Sequence, residues 1–78
     1  MTRYFLHLRD HTGVIVDPEG KEFVDLGAAR DEAIDAGREI MAELVRTGRV
    51  LDGQVIEICD QSGLVLATVR LKDVVRLE

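Results

Sequence analysis

An α+β fold with the element order β-β-α-β-β follows from three features of the sequence. One long amphipathic stretch, Asp25 to Gly48, lies in mid-chain. Segments of alternating apolar residues flank it on both sides. Each flank is folded back by the same turn chemistry, Asp10-His11-Thr12-Gly13 before the helix and Asp60-Gln61-Ser62-Gly63 after it. With 78 residues the chain makes a single compact domain, 1-78.

The helix is set by its periodicity. At about 100° per residue, Leu26, Ala29, Ala33, Ile34, Ala36, Gly37, Ile40, Met41, Leu44 and Val45 share one half of the wheel. Asp31, Glu32, Asp35, Arg38, Glu39, Glu43 and Arg46 occupy the other. A stripe this wide suits a helix lying on a sheet better than a coiled-coil seam. Asp25 is placed as N-cap, with Val24 set to staple against Ala29. Gly48 follows Thr47 where a positive φ ends a helix. Gly37, on the apolar half, implies close approach to a strand. On this wheel Ile40 and Leu44 are expected to be buried against the sheet.

Thr2 to Arg9 alternates, with Tyr4, Leu6 and Leu8 on one side and Arg3, Phe5, His7 and Arg9 on the other. Asp10 to Gly13 reads as a type I turn with a glycine bulge, and Val14 to Asp17 as the return strand. Asp17-Pro18-Glu19-Gly20 is a second turn, marking the boundary between hairpin and helix. Lys21 to Val24 adds a short extended piece. Beyond the helix, Gly53 to Asp60 and Leu64 to Leu71 form the second hairpin. Lys72 to Glu78 reads as one helical turn or a fraying end, with Leu71, Val74 and Val75 on one side of the turn. Gly13 and Gly63 are expected at positive φ. The simplest assembly is a four-stranded antiparallel sheet, order 2-1-3-4 in chain sequence, with the helix packed on one face.

Composition narrows function. The net charge is −5 and acidic and basic residues are interleaved, which disfavours a phosphate-binding role. A single cysteine excludes an internal disulfide, and no zinc spacing occurs. Met1 to Arg9 reads as a strand and not a signal peptide. No stretch approaches the ~20 apolar residues of a membrane span. The expectation is a cytoplasmic protein.

Arg3-Tyr4-Phe5-Leu6-His7, Asp10 with Gly13, Asp17 with Glu19-Gly20, and Asp25-Leu26 before Ala28-Ala29-Arg30 resemble an uncharacterised family of small bacterial proteins, the domain-of-unknown-function family numbered 6894. The Asp60 to Gly63 turn and the Leu77-Glu78 ending also fit. The resemblance spans nearly the whole chain. It implies a compact domain and brings no activity, cofactor or catalytic residue.

Candidate chemistry is sparse. His7 and His11 stand four apart, but at ~3.3 Å per residue an extended stretch separates them. No third ligand lies at a usable spacing, so neither a metal nor a cofactor is expected. The two Asp-x-Ser/Thr-Gly turns resemble aspartic-protease loops with one residue too many, and turn formation explains both aspartates. Cys59, beside Glu57 and Asp60, is in the wrong field for a thiolate and suits a buried apolar role. No acid, base and nucleophile can be assembled, so an enzyme is not expected.

Two functions remain. The first is a non-enzymatic interaction module, forming a homodimer or binding another protein through the sheet face that the helix leaves open. Phe5, His7, Val55, Cys59, Leu64 and Leu66 are assigned to that face, with Arg9, Glu57 and Thr68 around them. Tyr4, Leu6, Leu8, Ile56, Ile58, Val65, Ala67 and Val69 are assigned to the helix side. The alternative is a nucleic-acid-associated protein using Tyr4, Phe5 and the arginines of the first strand, which the low aromatic content and negative charge disfavour. If the Lys72 to Glu78 tail instead folds over the open face, the protein is a monomer.

Overall fold

A computed structural model describes residues 1–49 and 53–74. β1 (Thr2–Asp10) is paired along both of its edges. On one edge lie β2 (Gly13–Ile15) and β3 (Lys21–Phe23), both antiparallel to it. On the other lies β4 (Val55–Cys59), followed outward by β5 (Val65–Arg70). α1 (Leu26–Arg46) crosses one face, and a 3-10 turn, Leu71–Asp73, follows β5. The order β2-β1-β4-β5 is the one expected from the hairpins.

The sheet has five strands and not four, because Lys21–Phe23 pairs with β1, Thr2 opposite Phe23 and Tyr4 opposite Lys21. The Asp17-Pro18-Glu19-Gly20 turn therefore lies inside one interrupted edge strand and does not end the hairpin. Phe5 to His7 of β1 face the five residues Val16 to Gly20, so the edge carries a two-residue excess. Phe23 is buried on the helix side, its ring centroid 6.1 Å from that of Tyr4.

The capping residues act as expected. The Asp25 carboxylate accepts from the Ala28 N–H at 2.8 Å, and Gly48 has φ +72 just past the C-cap Thr47. Val24, at 73% exposed, staples nothing against the buried Ala29. The contact line of α1 is Ala29, Ala33, Gly37 and Met41, all buried. Ile40 and Leu44 are half-buried beside that line, and Val45 is exposed. The stripe is centred on its small residues because these let the helix axis come close to the sheet. A Cβ on Gly37 would meet the Val74 methyls at 3.4 Å and Ile56 Cδ1 at 3.8 Å, so the close neighbours are the 3-10 turn and β4.

Leu71 and Val74 are buried in the core that α1 covers, and the Val74 carbonyl accepts from Arg38 Nε at 3.3 Å. Up to Val74 the tail therefore packs on the helix side and not over the open face. Val75 to Glu78 lie outside the described residues. Gly13 and Gly63 both have positive φ, +150 and +90. In each hairpin one aspartate oxygen accepts two bonds from the third turn residue, from Thr12 N and Oγ1 at Asp10 and from Ser62 N and Oγ at Asp60.

Met41→Ala should cost about 2–5 kcal/mol, as removal of a buried side chain that the helix and sheet close around. Leu44→Ala should cost less, and exposed Glu39→Ala should stay within about 0.5 kcal/mol. Urea unfolding of the three variants checks this order.

Candidate functional site

The register defines the face that α1 leaves open. Directly opposed residues in an antiparallel pair share a face. Phe5, His7 and Arg9 oppose Cys59, Glu57 and Val55, which in turn oppose Val65, Thr68 and Arg70. Leu6 and Leu8 oppose Ile58 and Ile56, which oppose Ala67 and Val69, and this second row lies under the helix. One assignment is corrected. Val65 was expected on the helix side, but a bulge between Ile58 and Cys59 shifts the register and puts it opposite Cys59 on the open face. Leu66 falls at that bulge and has no partner in the register.

The open face has two chemical halves. One holds Phe5, Cys59 and Val65, which is 44% exposed, and Leu64 and Leu66, 61% and 39% exposed, flank Val65 along the chain. Val55 sits at the far end of β4, half-buried. The other half holds His7, Arg9 and Glu57, with an Arg9 Nε to Glu57 Oε1 ion pair of 3.1 Å. Cys59 is buried at 3% exposed although it lies on this face, so its neighbours cover it. Burial, then the Glu57 and Asp60 carboxylates, push the thiol's pKa up, while Arg9 pulls the other way. An inert apolar cysteine is the result.

At the edge of the face sits a polar cluster that the residue pattern did not announce. Asp17 Oδ2 accepts from the Leu6 N–H at 3.2 Å. Asp17 Oδ1 accepts from the Gly20 N–H at 3.0 Å and from the Glu19 N–H at 3.4 Å. The Asp17 N–H in turn donates to His7 Nδ1 at 3.0 Å, so the His7 ring carries its proton on Nε2. The carboxylate thus stands in for the strand that is missing opposite Leu6. Gly20 fits here because its φ is +67 and a Cβ would lie 2.8 Å from the Tyr4 carbonyl oxygen and 2.9 Å from the Phe5 ring. Phe5 is laid across this glycine, and its ring is stacked on His7 at 6.4 Å. The only sequence signal for this arrangement was the Asp-Pro-x-Gly string itself, which fits a free turn equally well.

Other candidates separate in space. Asp10 ends β1 and Asp60 follows β4, and the antiparallel register puts them at opposite ends of the sheet, roughly 20 Å apart at ~3.3 Å per residue. They share no proton. Hydrogen bonds from the Thr12 hydroxyl at Asp10 and the Ser62 hydroxyl at Asp60 hold both carboxyls below the ordinary range. His11 is exposed in its turn, and His7 is committed to Asp17. Among the described residues no three His, Cys, Asp or Glu side chains gather in a metal-binding arrangement. Tyr4 is buried under the helix and Phe5 lies on the other face, so the two aromatics form no common platform. Arg3 is tied to the Glu19 carbonyl at 2.7 Å. No helix among the described residues is long and apolar enough to cross a membrane.

Residues 3–72 match the family model described as "Domain of unknown function (DUF6894)", and the chain belongs to that family. No curated protein and no solved structure matches it.

The pKa of Asp17 responds first to burial, which raises it, but the three backbone N–H donors outweigh burial and leave it below the ordinary range. A carboxyl whose folded-state value is depressed contributes its stability above the unfolded value, near ~4, and loses it as pH falls through the folded value. Wild-type stability should therefore decline on acidification below about pH 4. Asp17→Asn offers one acceptor oxygen in place of two. It should cost about 1–3 kcal/mol at pH 7 by leaving an N–H unpaired. It should also flatten the acid decline. Denaturation at a series of pH values reads both effects, and equal pH profiles would contradict this role for Asp17.

Proposed function

We propose that this chain is a non-enzymatic interaction module that pairs with a second copy of itself through the open face of its sheet. The supporting observation is the uncovered apolar half of that face, where exposed Leu64, Val65 and Leu66 run on from Phe5. Exposed faces of antiparallel sheets are ordinarily polar. A contiguous apolar patch bordered by charges such as Arg9, Glu57 and Arg70 is a contact surface in the general case. A two-fold pairing uses one patch twice, so a single sequence serves both subunits. The polar half supplies Arg9 and Glu57, whose exposed ion pair can be re-formed between subunits.

Phe5 is a poor place to test this, because it packs on Gly20 and supports the edge. Leu66 is the better one, exposed and outside the core. Sedimentation should find wild-type protein as a dimer at tens to hundreds of micromolar, roughly the range for small non-obligate interfaces. Leu66→Lys should sediment as a folded monomer. A wild-type monomer throughout this range, or a Leu66→Lys protein that dimerises as the wild type does, would contradict the reading.

A further inference from the structure

The two edges of the sheet are treated differently. On the β2/β3 edge, the Val16 to Gly20 excess breaks the ladder and Asp17 occupies the gap. On the other edge, β5 runs for six residues with no strand beyond it among the described residues. The Leu71 N–H donates inward to the Gln54 carbonyl at 3.0 Å. Strand alternation then turns the backbone groups of Val69 inward with it, and those of Thr68 and Arg70 outward. An unprotected row of this kind is a template for another strand.

This edge borders a groove. A cleft of about 360 Å³ runs between β5 and α1, within the size range of ligand sites. Its apolar lining comes from Ile34, Val69 and Val74, and its charge from Arg30, Arg38 and Arg70 against the single carboxylate of Asp73. Arg70 is paired with Asp73 at 2.8 Å, and Arg38 with Asp35 at 3.5 Å. Both pairs are half or more exposed, and such pairs are weak and readily exchanged. Arg30 makes no ion pair among the described residues. Arg30 and Arg38 thus face the groove from α1, while Arg70 and Asp73 border it at the β5 edge, in a chain of net charge −5. From Leu64 to Lys72 the sequence contains no acidic residue.

We propose that the β5 edge and its groove bind an acidic peptide in extended conformation, which adds as a further strand. Its backbone pairs with the outward groups of Thr68 and Arg70 and supplies affinity. One row of its side chains faces α1, where carboxylates meet Arg30 and Arg38. The alternate residues point to the opposite face of the sheet, on the side of Thr68 and Arg70. The complementary charge favours an acidic strand over a second copy of β5, whose one charged side chain is Arg70. The groove is separate from the open face, and either surface can serve without the other.

The probe is a fluorescein-labelled octapeptide in which glutamate alternates with valine. Anisotropy should show saturable binding of this peptide to the intact chain. A lysine-valine octapeptide should not bind. Hydrogen exchange should slow at the Thr68 and Arg70 amides when the acidic peptide is present. Arg30→Glu removes no internal partner and leaves the fold intact, and it should weaken binding by about tenfold or more. Four results would overturn the proposal. They are no binding of the acidic peptide, equal binding of the lysine peptide or of a single-stranded oligonucleotide, unchanged exchange at Thr68 and Arg70, and unchanged affinity in Arg30→Glu.

Discussion

The Asp17 carboxylate holds the pattern of the sheet together. β1 must be paired on both edges, yet the chain on one side is two residues too long to follow it. A backbone N–H left unpaired there costs about 1–3 kcal/mol. Asp17 removes the problem by accepting from Leu6 across the gap and from Glu19 and Gly20 within it. His7 receives the Asp17 N–H in return. Four backbone N–H groups that carbonyls would accept from in a regular ladder are thus satisfied by two side chains. The glycine at position 20 and the Phe5 ring over it follow from the same geometry.

The closed edge decides which surfaces are free. With β2 and β3 interrupted and filled, strand addition is directed to β5. With α1, Leu71 and Val74 together on one face, the apolar half of the other is left uncovered by the described residues. The bulge at Cys59 enlarges that half, because it turns Val65 outward beside exposed Leu66. A small core helps explain the economy of the helix contact. Ala29, Ala33 and Gly37 bring α1 close, so few large side chains are needed to fill the space beneath it.

Much of this was legible in the residues. The 3.6-residue period set the helix, the two-residue period set three strands, and Asp25, Gly48, Gly13 and Gly63 set their ends. The repeated aspartate turn gave both hairpins and with them the strand order. Three features were not legible, each for a physical reason. The strand Lys21–Phe23 is too short to show a period, and its assignment depends on pairing with residues far off in sequence. The bulge at Cys59 leaves no mark in the alternation of Leu64 to Leu71, because every residue there up to Ala67 is apolar. The wheel identified the apolar half of α1 but weighed Ile40 and Leu44 by size, whereas proximity to the sheet selected the small residues. The open face was readable as a set, since Phe5, His7, Val55 and Cys59 follow from strand alternation alone. The groove between α1 and β5 was not, because it joins Arg30 and Arg38 to Arg70 only after the chain has folded.

Native-state hydrogen exchange, followed amide by amide on the unliganded chain, tests the asymmetry of the two edges most directly. Leu6 and Asp17 should exchange slowly, close to the rate set by global unfolding, because side chains hold both amides in place of a strand. Thr68 and Arg70 should exchange orders of magnitude faster, as outward groups of an open edge. Rapid exchange at Leu6 and Asp17, or protection at Thr68 and Arg70 equal to theirs, would contradict the account.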